Sequence, residues 1–356
     1  MIKQLFRAVA VLLAAAFFTT LVSAKAPYSA KSYILMDADT GKVLLSKGIH
    51  DRSLIASTTK IMTGLLVLEH CDLERIISVP KEAVGVEGSS MYLKLGEELT
   101  IRELLYGLML HSGNDAAVAL AIAAAGSVES FGCLRNEKAK SLGLCNTHFD
   151  NPNGLDSAQH YSTAYDLALL TKAALENGNF RDVVGSKTVT IGNRSFRNHN
   201  RLLWMGEGIL GVKTGYTKAA GRILVSACRR NGRTLIAVTI NDGNDWQDHL
   251  ALYEHGFSLY HTQVLISEGQ ELCEIPLLDG STVKLYAEES LEYAITEGET
   301  PIFYLGYPHT ALVDEGAVVI HVYLGDLRIK TMHPKWGYAE YGKNTETHSL
   351  SGTVLP

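Results

Sequence analysis

Cysteine is scarce in this chain: five residues (Cys71, Cys133, Cys145, Cys228 and Cys273) are scattered over 356 positions. They are too few and too dispersed for a disulfide framework. Cys133 and Cys145 leave room for one bridge in an oxidising compartment, and free buried thiols are the alternative. No CxxC or HExxH pattern occurs, so nothing in the sequence asks for a metal or another cofactor. A surplus of positive charge is also missing. With 32 Lys and Arg against 38 Asp and Glu the net charge is -6, which leaves no excess to neutralise phosphates and excludes a nucleic-acid partner. Internal repeats and long like-charge runs are absent, which excludes solenoids and charged tails. Past the first two dozen residues no run is apolar enough to span a bilayer. What remains is an ordinary globular composition, 46% hydrophobic and 20% charged, long enough for a large domain and a smaller one.

The N-terminus has a texture of its own. Lys3 and Arg7 precede an apolar stretch from Ala8 to about Val22, and Val22-Ser23-Ala24 offers the small residues a signal peptidase reads. Residues 1–24 are therefore expected to be a cleaved signal peptide. An uncleaved membrane anchor is the other reading, because the stretch approaches spanning length, although Thr19 and Thr20 weaken it. Both readings export the remainder.

Two short apolar runs follow, Tyr33-Ile34-Leu35-Met36 and Lys42-Val43-Leu44-Leu45, parted by Asp37-Ala38-Asp39-Thr40-Gly41 as in a hairpin. Ser57 opens a stretch with Ile61, Leu65 and Leu68 at helical spacing. A second helix is expected over Leu104–Leu110 and a third over Ala116–Ala125, with Asp115 as its cap. Asn151-Pro152-Asn153-Gly154 is a turn, and Thr163–Leu175 is helical again. Strands return at Ile209–Thr217, Ile223–Ala227 and Leu235–Ile240, the last two joined through Asn231-Gly232. Strands thus bracket a helical middle, which predicts a sheet assembled from distant parts of the chain with helices against it. Residues 25–262 are expected to form this first domain. Residues 263–335 read as a small all-β domain, with short alternating runs such as Val283–Tyr286 and turns such as Asp279-Gly280, and 336–356 as a polar tail.

Three clusters carry chemistry. Ser57-Thr58-Thr59-Lys60 sets a hydroxyl and an amine three residues apart, so that both leave one face of a helix start and touch. A neutral lysine amine there can take the serine proton, and the helix N-terminus favours developing negative charge. Alone this is weak evidence, because Ser78-Val79-Pro80-Lys81 repeats the spacing. Ser112-Gly113-Asn114 breaks two apolar helical stretches; as plain loop chemistry it needs no function, yet it can present a hydroxyl and an amide into a cleft. Lys213-Thr214-Gly215 lies inside a strand, where Gly215 lets another group approach the backbone and Lys213 with Thr214 suit a carboxylate. Its plain reading is an edge strand guarded by lysine. In this order, on these elements, the three form the set used by serine β-lactamases and penicillin-binding proteins.

With those residues in view the chain resembles the serine-type D-Ala-D-Ala carboxypeptidases, the low-molecular-mass penicillin-binding proteins of peptidase family S11. The likeness extends to Ile34-Leu35-Met36-Asp37-Ala38, Ala56 through Thr63, Phe149 with Asn151–Leu155, His160–Ala164, and Asn200-Arg201-Leu202-Leu203. It covers roughly residues 30–260 closely and the later β-rich segment more loosely. The resemblance implies an α+β fold: a β-lactamase/transpeptidase-like antiparallel sheet with a helical subdomain, then a small all-β domain. It implies that Ser57 attacks the penultimate D-alanine carbonyl of peptidoglycan stem peptides, that Lys60 is the base, and that Ser112 passes the proton to the leaving D-alanine. Asn114 then holds the substrate amide, Lys213 and Thr214 the terminal carboxylate, and the N–H groups of Ser57 and Tyr216 the oxyanion, with Gly215 opening the strand to substrate. Covalent inhibition by β-lactams follows, as does a place outside the cytoplasm: extracellular, wall-associated or periplasmic. Two departures stand out. The membrane-lying amphipathic helix with which many members end has no counterpart here, which leaves membrane association open, and Ile55 replaces a frequent proline.

Rival readings differ by a few residues. A class A β-lactamase needs a deacylating glutamate, and no Glu-x-x-x-Asn stands between Thr163 and Gly206. A transpeptidase would hand the acyl group to an amine instead of water. A silent wall-binding or β-lactam-sensing protein would have lost Ser57, Lys60 or Lys213, and all three are present.

Overall fold

A computed structural model describes residues 28–276, 282–306 and 318–337. The expected signal peptide, the Asp279-Gly280 turn and the tail beyond Gly337 lie outside the described residues. Five strands form the central antiparallel sheet: β1 (Ser32–Asp37), β2 (Val43–Lys47), β3 (Ile209–Thr217), β4 (Gly221–Arg230) and β5 (Arg233–Ile240), in the spatial order β2-β1-β5-β4-β3. The first hairpin closes because the Asp37 carboxylate accepts from Asp39 N and Thr40 N, both at 2.8 Å. Asn231 (φ 49°) and Gly232 (φ 80°) supply the two left-handed residues that a tight β4–β5 turn requires. Strand β1 is buried along its whole length because both faces of the sheet are covered. Ile34, Met36, Val225 and Val238 pack toward the helices, whereas Tyr33, Leu35, Cys228 and Leu235 pack toward α7 (Asp245–Ser258).

The helical side is built from α1 (Lys60–His70), α2 (Ile101–Leu110), α3 (Asn114–Ala125), α4 (Val128–Ser141), α5 (Ala164–Glu176) and α6 (Gly178–Gly185). Thr100 and Glu103 form a reciprocal capping box on α2, and Thr163 caps α5 through Asp166 N. One expectation fails here. Asp115 is not the cap of α3; it lies inside the first turn, and Gly113 holds the cap position. Its buried carboxylate accepts from Ala116 N in the first turn and from Met91 N, Leu93 N and Ser90 Oγ, so it ties the 90–93 loop to the helix start.

Among the described residues the C-terminal region is all β, as expected. Its strands are β6 (Tyr260–Ile266), β7 (Glu271–Pro276), β8 (Thr282–Tyr286), β9 (Leu291–Thr296), β10 (Pro301–Gly306), β11 (Val319–Leu324), β12 (Leu327–Met332) and β13 (Lys335–Gly337). They form small antiparallel sheets, β6 with β9, β7-β8-β13 and β10-β11-β12. Strand β13 carries pairing to Gly337, so the first residues assigned to the polar tail are part of a sheet. All five cysteines are free, and Cys133 and Cys145 are both exposed. Among the described residues no single helix is long and apolar enough to cross a membrane.

Candidate active site

The three clusters meet at the free edge of β3. Ser57 sits in a 3-10 turn (Ala56–Thr59) that runs into α1, and Lys60 is the first residue of the α-helix proper. The three-residue spacing does what it predicts: Lys60 Nζ lies 2.9 Å from Ser57 Oγ. The amine also donates to Asn114 Oδ1 at 2.7 Å and to the Asn153 carbonyl at 2.6 Å. Lys60 is fully buried, and burial first, then the charge of Lys213, holds its pKa well below the ordinary lysine range, with Asp115 opposing the shift.

The turn bearing Ser57 is shaped by its neighbours. Ala56 takes a left-handed φ of 44°, and Thr59 Oγ1 donates to the Ala56 carbonyl at 2.8 Å. His160 Nδ1 accepts from Asp150 N, so Nε2 carries the proton toward Thr59 Oγ1 at 2.6 Å. Burial pulls His160 down to about 4 and keeps it neutral in this role. Gly154 (φ 93°) lies against the same turn: a Cβ there would fall 1.9 Å from the Ala56 carbonyl oxygen. The Asn-Pro-Asn-Gly turn thus does two jobs, presenting the Asn153 carbonyl to Lys60 and passing under Ala56 without a side chain.

Ser112 stands where α2 gives way to α3, with a left-handed φ of 65°. Asn114, at the start of α3, bridges Lys60 and the Glu87 carbonyl, to which its Nδ2 donates at 2.5 Å. On β3 the residues alternate. Lys213 and Gly215 pair with Val225 and Ile223, which face the helices, whereas Thr214 and Tyr216 pair with Leu224 and Arg222 on the α7 side. Gly215 permits a close approach: a Cβ there would lie 3.1 Å from the Ile55 carbonyl and 3.3 Å from Ser57 N. Lys213 is not the open cation that the strand pattern implied. It is buried beneath the cleft with its Nζ on the Thr214 carbonyl at 3.0 Å, and burial pulls it down to about 7.

Above these groups opens a cavity of about 310 Å³ whose lining includes Ser57, Ser112, Thr214 and Tyr216. All the residues named from the sequence as catalytic or substrate-binding are therefore gathered in one place. The decoy pair is not: Ser78 and Lys81 are exposed, on a short strand and a separate 3-10 turn. Sequence reading missed His199 and the pair Arg222–Asp245, which also line the cavity. Burial, with the nearby Lys213 and His111 charges, brings His199 down to about 4. It also passed over Asn153 as a site residue, since a main-chain acceptor leaves no mark beyond the turn residues that position it.

The sheet, its helical partner and the serine–lysine pair define an active-site serine enzyme of the penicillin-recognising class. Residues 19–244 match the family model of the D-alanyl-D-alanine carboxypeptidases, peptidase family S11, and the chain belongs to that family. The carboxypeptidase DacF of Bacillus subtilis is 35% identical over 291 residues, 76% of this chain and 74% of that protein. DacD of Escherichia coli is 38% identical over 224 residues, 59% of this chain and 58% of that one. Among solved structures, penicillin-binding protein 5 of Haemophilus influenzae superposes with a TM-score of 0.66 at 26% identity, covering 87% of this chain and 96% of that chain. A variant of the Streptomyces K15 DD-transpeptidase gives 0.63 at 35% identity, covering 65% and 99%.

Proposed function

We propose that this chain is an exported D-alanyl-D-alanine carboxypeptidase that trims the terminal D-alanine from peptidoglycan stem peptides through an acyl-enzyme on Ser57. The observation that carries the reading is the Lys60 amine, buried, depressed in pKa and within 2.9 Å of Ser57 Oγ. Ser57 Oγ bonds to the penultimate D-alanine carbonyl carbon while its proton passes to neutral Lys60. The oxyanion is held by the N–H groups of Ser57 and Tyr216, which the side-chain-free Gly215 allows to converge. The C–N bond then breaks, and Ser112 relays the proton from Lys60 to the departing D-alanine amine. Water adds to the ester carbonyl, giving up a proton to Lys60, and the Oγ–C bond cleaves as Lys60 returns that proton to Oγ, which restores the serine and the neutral amine. Asn114 offers the remaining hydrogen of Nδ2 to the substrate amide. Thr214 meets the terminal carboxylate from the cleft wall, and Lys213 acts on it from beneath.

Residues 25–262 form the catalytic unit in this reading and 263–335 an appended β module. Support comes from the family match ending at residue 244 and from the Streptomyces chain, which is covered almost completely by 65% of this one. An exported enzyme working on the outer face of the membrane accords with the substrate class, and β-lactams, which mimic D-Ala-D-Ala, would acylate the same serine. Because the Streptomyces neighbour is a DD-transpeptidase, transfer of the acyl group to an amine is the second reading. Incubation with labelled penicillin followed by peptide mass mapping tests the nucleophile. The label is expected on the peptide that contains Ser57, and label elsewhere, or none, contradicts the assignment.

A further inference from the structure

The cleft has a wall that the mechanism above does not use. Arg222 on β4 lines the cavity, and its guanidinium is held by the buried Asp245 at the start of α7: Nε donates to Oδ2 at 3.1 Å, and Nη2 donates to Oδ1 at 2.7 Å and Oδ2 at 2.8 Å. The Trp246 ring lies 5.6 Å from the guanidinium carbon. Asp245 is 4% exposed and Arg222 is 44% exposed, so the carboxylate anchors one edge of the guanidinium from below. Among the described residues no hydrogen bond engages Nη1, the remaining edge. A guanidinium fixed along one edge and bare along another is oriented before any ligand arrives.

Charge accounting makes this group stand out. Lys60 is held well below the ordinary lysine range, Lys213 lies near 7 beneath the floor, and His199 lies near 4. An arginine keeps its charge throughout the working pH range; Asp245 offsets that charge within the pair, so what Arg222 brings to the cleft is a permanently protonated, oriented donor at Nη1. Its position along the strand says which part of a substrate it meets. Arg222 is paired with Tyr216, and Leu224 is the residue level with Thr214. Two residues of strand are about 7 Å. On the reading above, the terminal carboxylate lies at Thr214 and the scissile carbonyl at Tyr216, so the substrate chain upstream of the scissile bond continues past Arg222.

We propose that Arg222, oriented by Asp245, is a specificity-determining residue that pairs with a carboxylate on the stem residue preceding D-Ala-D-Ala. The inference rests on the carboxypeptidase reading and adds a preference for an acidic acyl donor. The test compares D-alanine release from acetyl-L-Glu-D-Ala-D-Ala and acetyl-L-Gln-D-Ala-D-Ala, which differ by one carboxylate. The full chain should favour the Glu peptide by about threefold to fivefold in kcat/KM, the scale of one half-exposed ion pair. That ratio should fall to about one in Arg222→Gln and stay intermediate in Arg222→Lys, which keeps the charge without the fork. Raising salt from roughly 0.05 M to roughly 0.5 M should shrink the wild-type ratio, a readout that needs no variant. A wild-type ratio near one, or a ratio unchanged in Arg222→Gln because both peptides slow together, overturns the inference; the second result would place Arg222 on the terminal carboxylate. No D-alanine from either peptide with wild-type protein would be the separate failure of the carboxypeptidase reading.

Discussion

Two lysines share a buried floor, and the chemistry depends on their not being equally charged. Lys60 Nζ lies within hydrogen-bond reach of Ser57 Oγ, Asn114 Oδ1 and the Asn153 carbonyl, and burial first, then Lys213, holds its pKa well below the ordinary lysine range against the pull of Asp115. Lys213, lowered by burial alone to about 7, is a cation below that pH and is lost as one above it. The sign for binding follows: a carboxylate substrate loses its partner as pH rises. KM for a peptide ending in D-Ala-D-Ala should therefore climb between about pH 6 and about pH 8, centred near the Lys213 value. A KM flat across that window would show that Lys213 does not meet the carboxylate as a titrating cation. At this scale the sequence was legible where contact is local. The Ser57–Lys60 contact follows from spacing, whereas the Asn153 carbonyl is supplied by a turn 93 residues away, and no pattern around Lys60 announces it.

Elements were read well where period and turn chemistry agree. The β1–β2 hairpin, the Asn231-Gly232 turn and the capped helix after Thr163 all form where apolar spacing and left-handed or capping residues coincide. Asp115 was misread because an acid at a helix start has two uses, and sequence cannot show that the 90–93 loop passes close enough to claim the carboxylate. Longer-range pairing was invisible. Arg233 at the start of β5 is 1% exposed and joins the central sheet to the β region. It donates to Asp37 Oδ2 at 3.1 Å, to the Ala294 carbonyl at 2.7 Å and to Glu299 Oε2 at 3.2 Å. The rings of Tyr260 and Tyr293 lie 4.9 and 4.6 Å from its guanidinium carbon. Removing one partner of such a buried pair strands the other, which typically costs about 3–5 kcal/mol. Arg233→Gln should lower stability on that scale in urea denaturation and quicken proteolysis near residues 259–267. A loss under about 1 kcal/mol would mean that water or a rearranged Asp37 replaces the pair.

Residues 32–258 build a sheet gathered from both ends of that stretch, with helices on one side, α7 on the other and the reactive groups at its open edge, and the small β sheets follow it. That plan was legible from strand runs bracketing a helical middle, and the three short motifs placed the catalytic end. The α7 wall was not legible, because Arg222 and Asp245 meet only once β4, β5 and α7 have packed. The most direct test of the account is D-alanine release from a peptide ending in D-Ala-D-Ala, measured for wild type, Ser57→Ala and Ser78→Ala. The account predicts release by wild type and Ser78→Ala, abolished in Ser57→Ala with the fold intact by circular dichroism. Release that survives Ser57→Ala would contradict it. If wild type releases no D-alanine while Ser57 still takes up labelled penicillin, the acylating site stands and the activity moves to acyl transfer onto an amine.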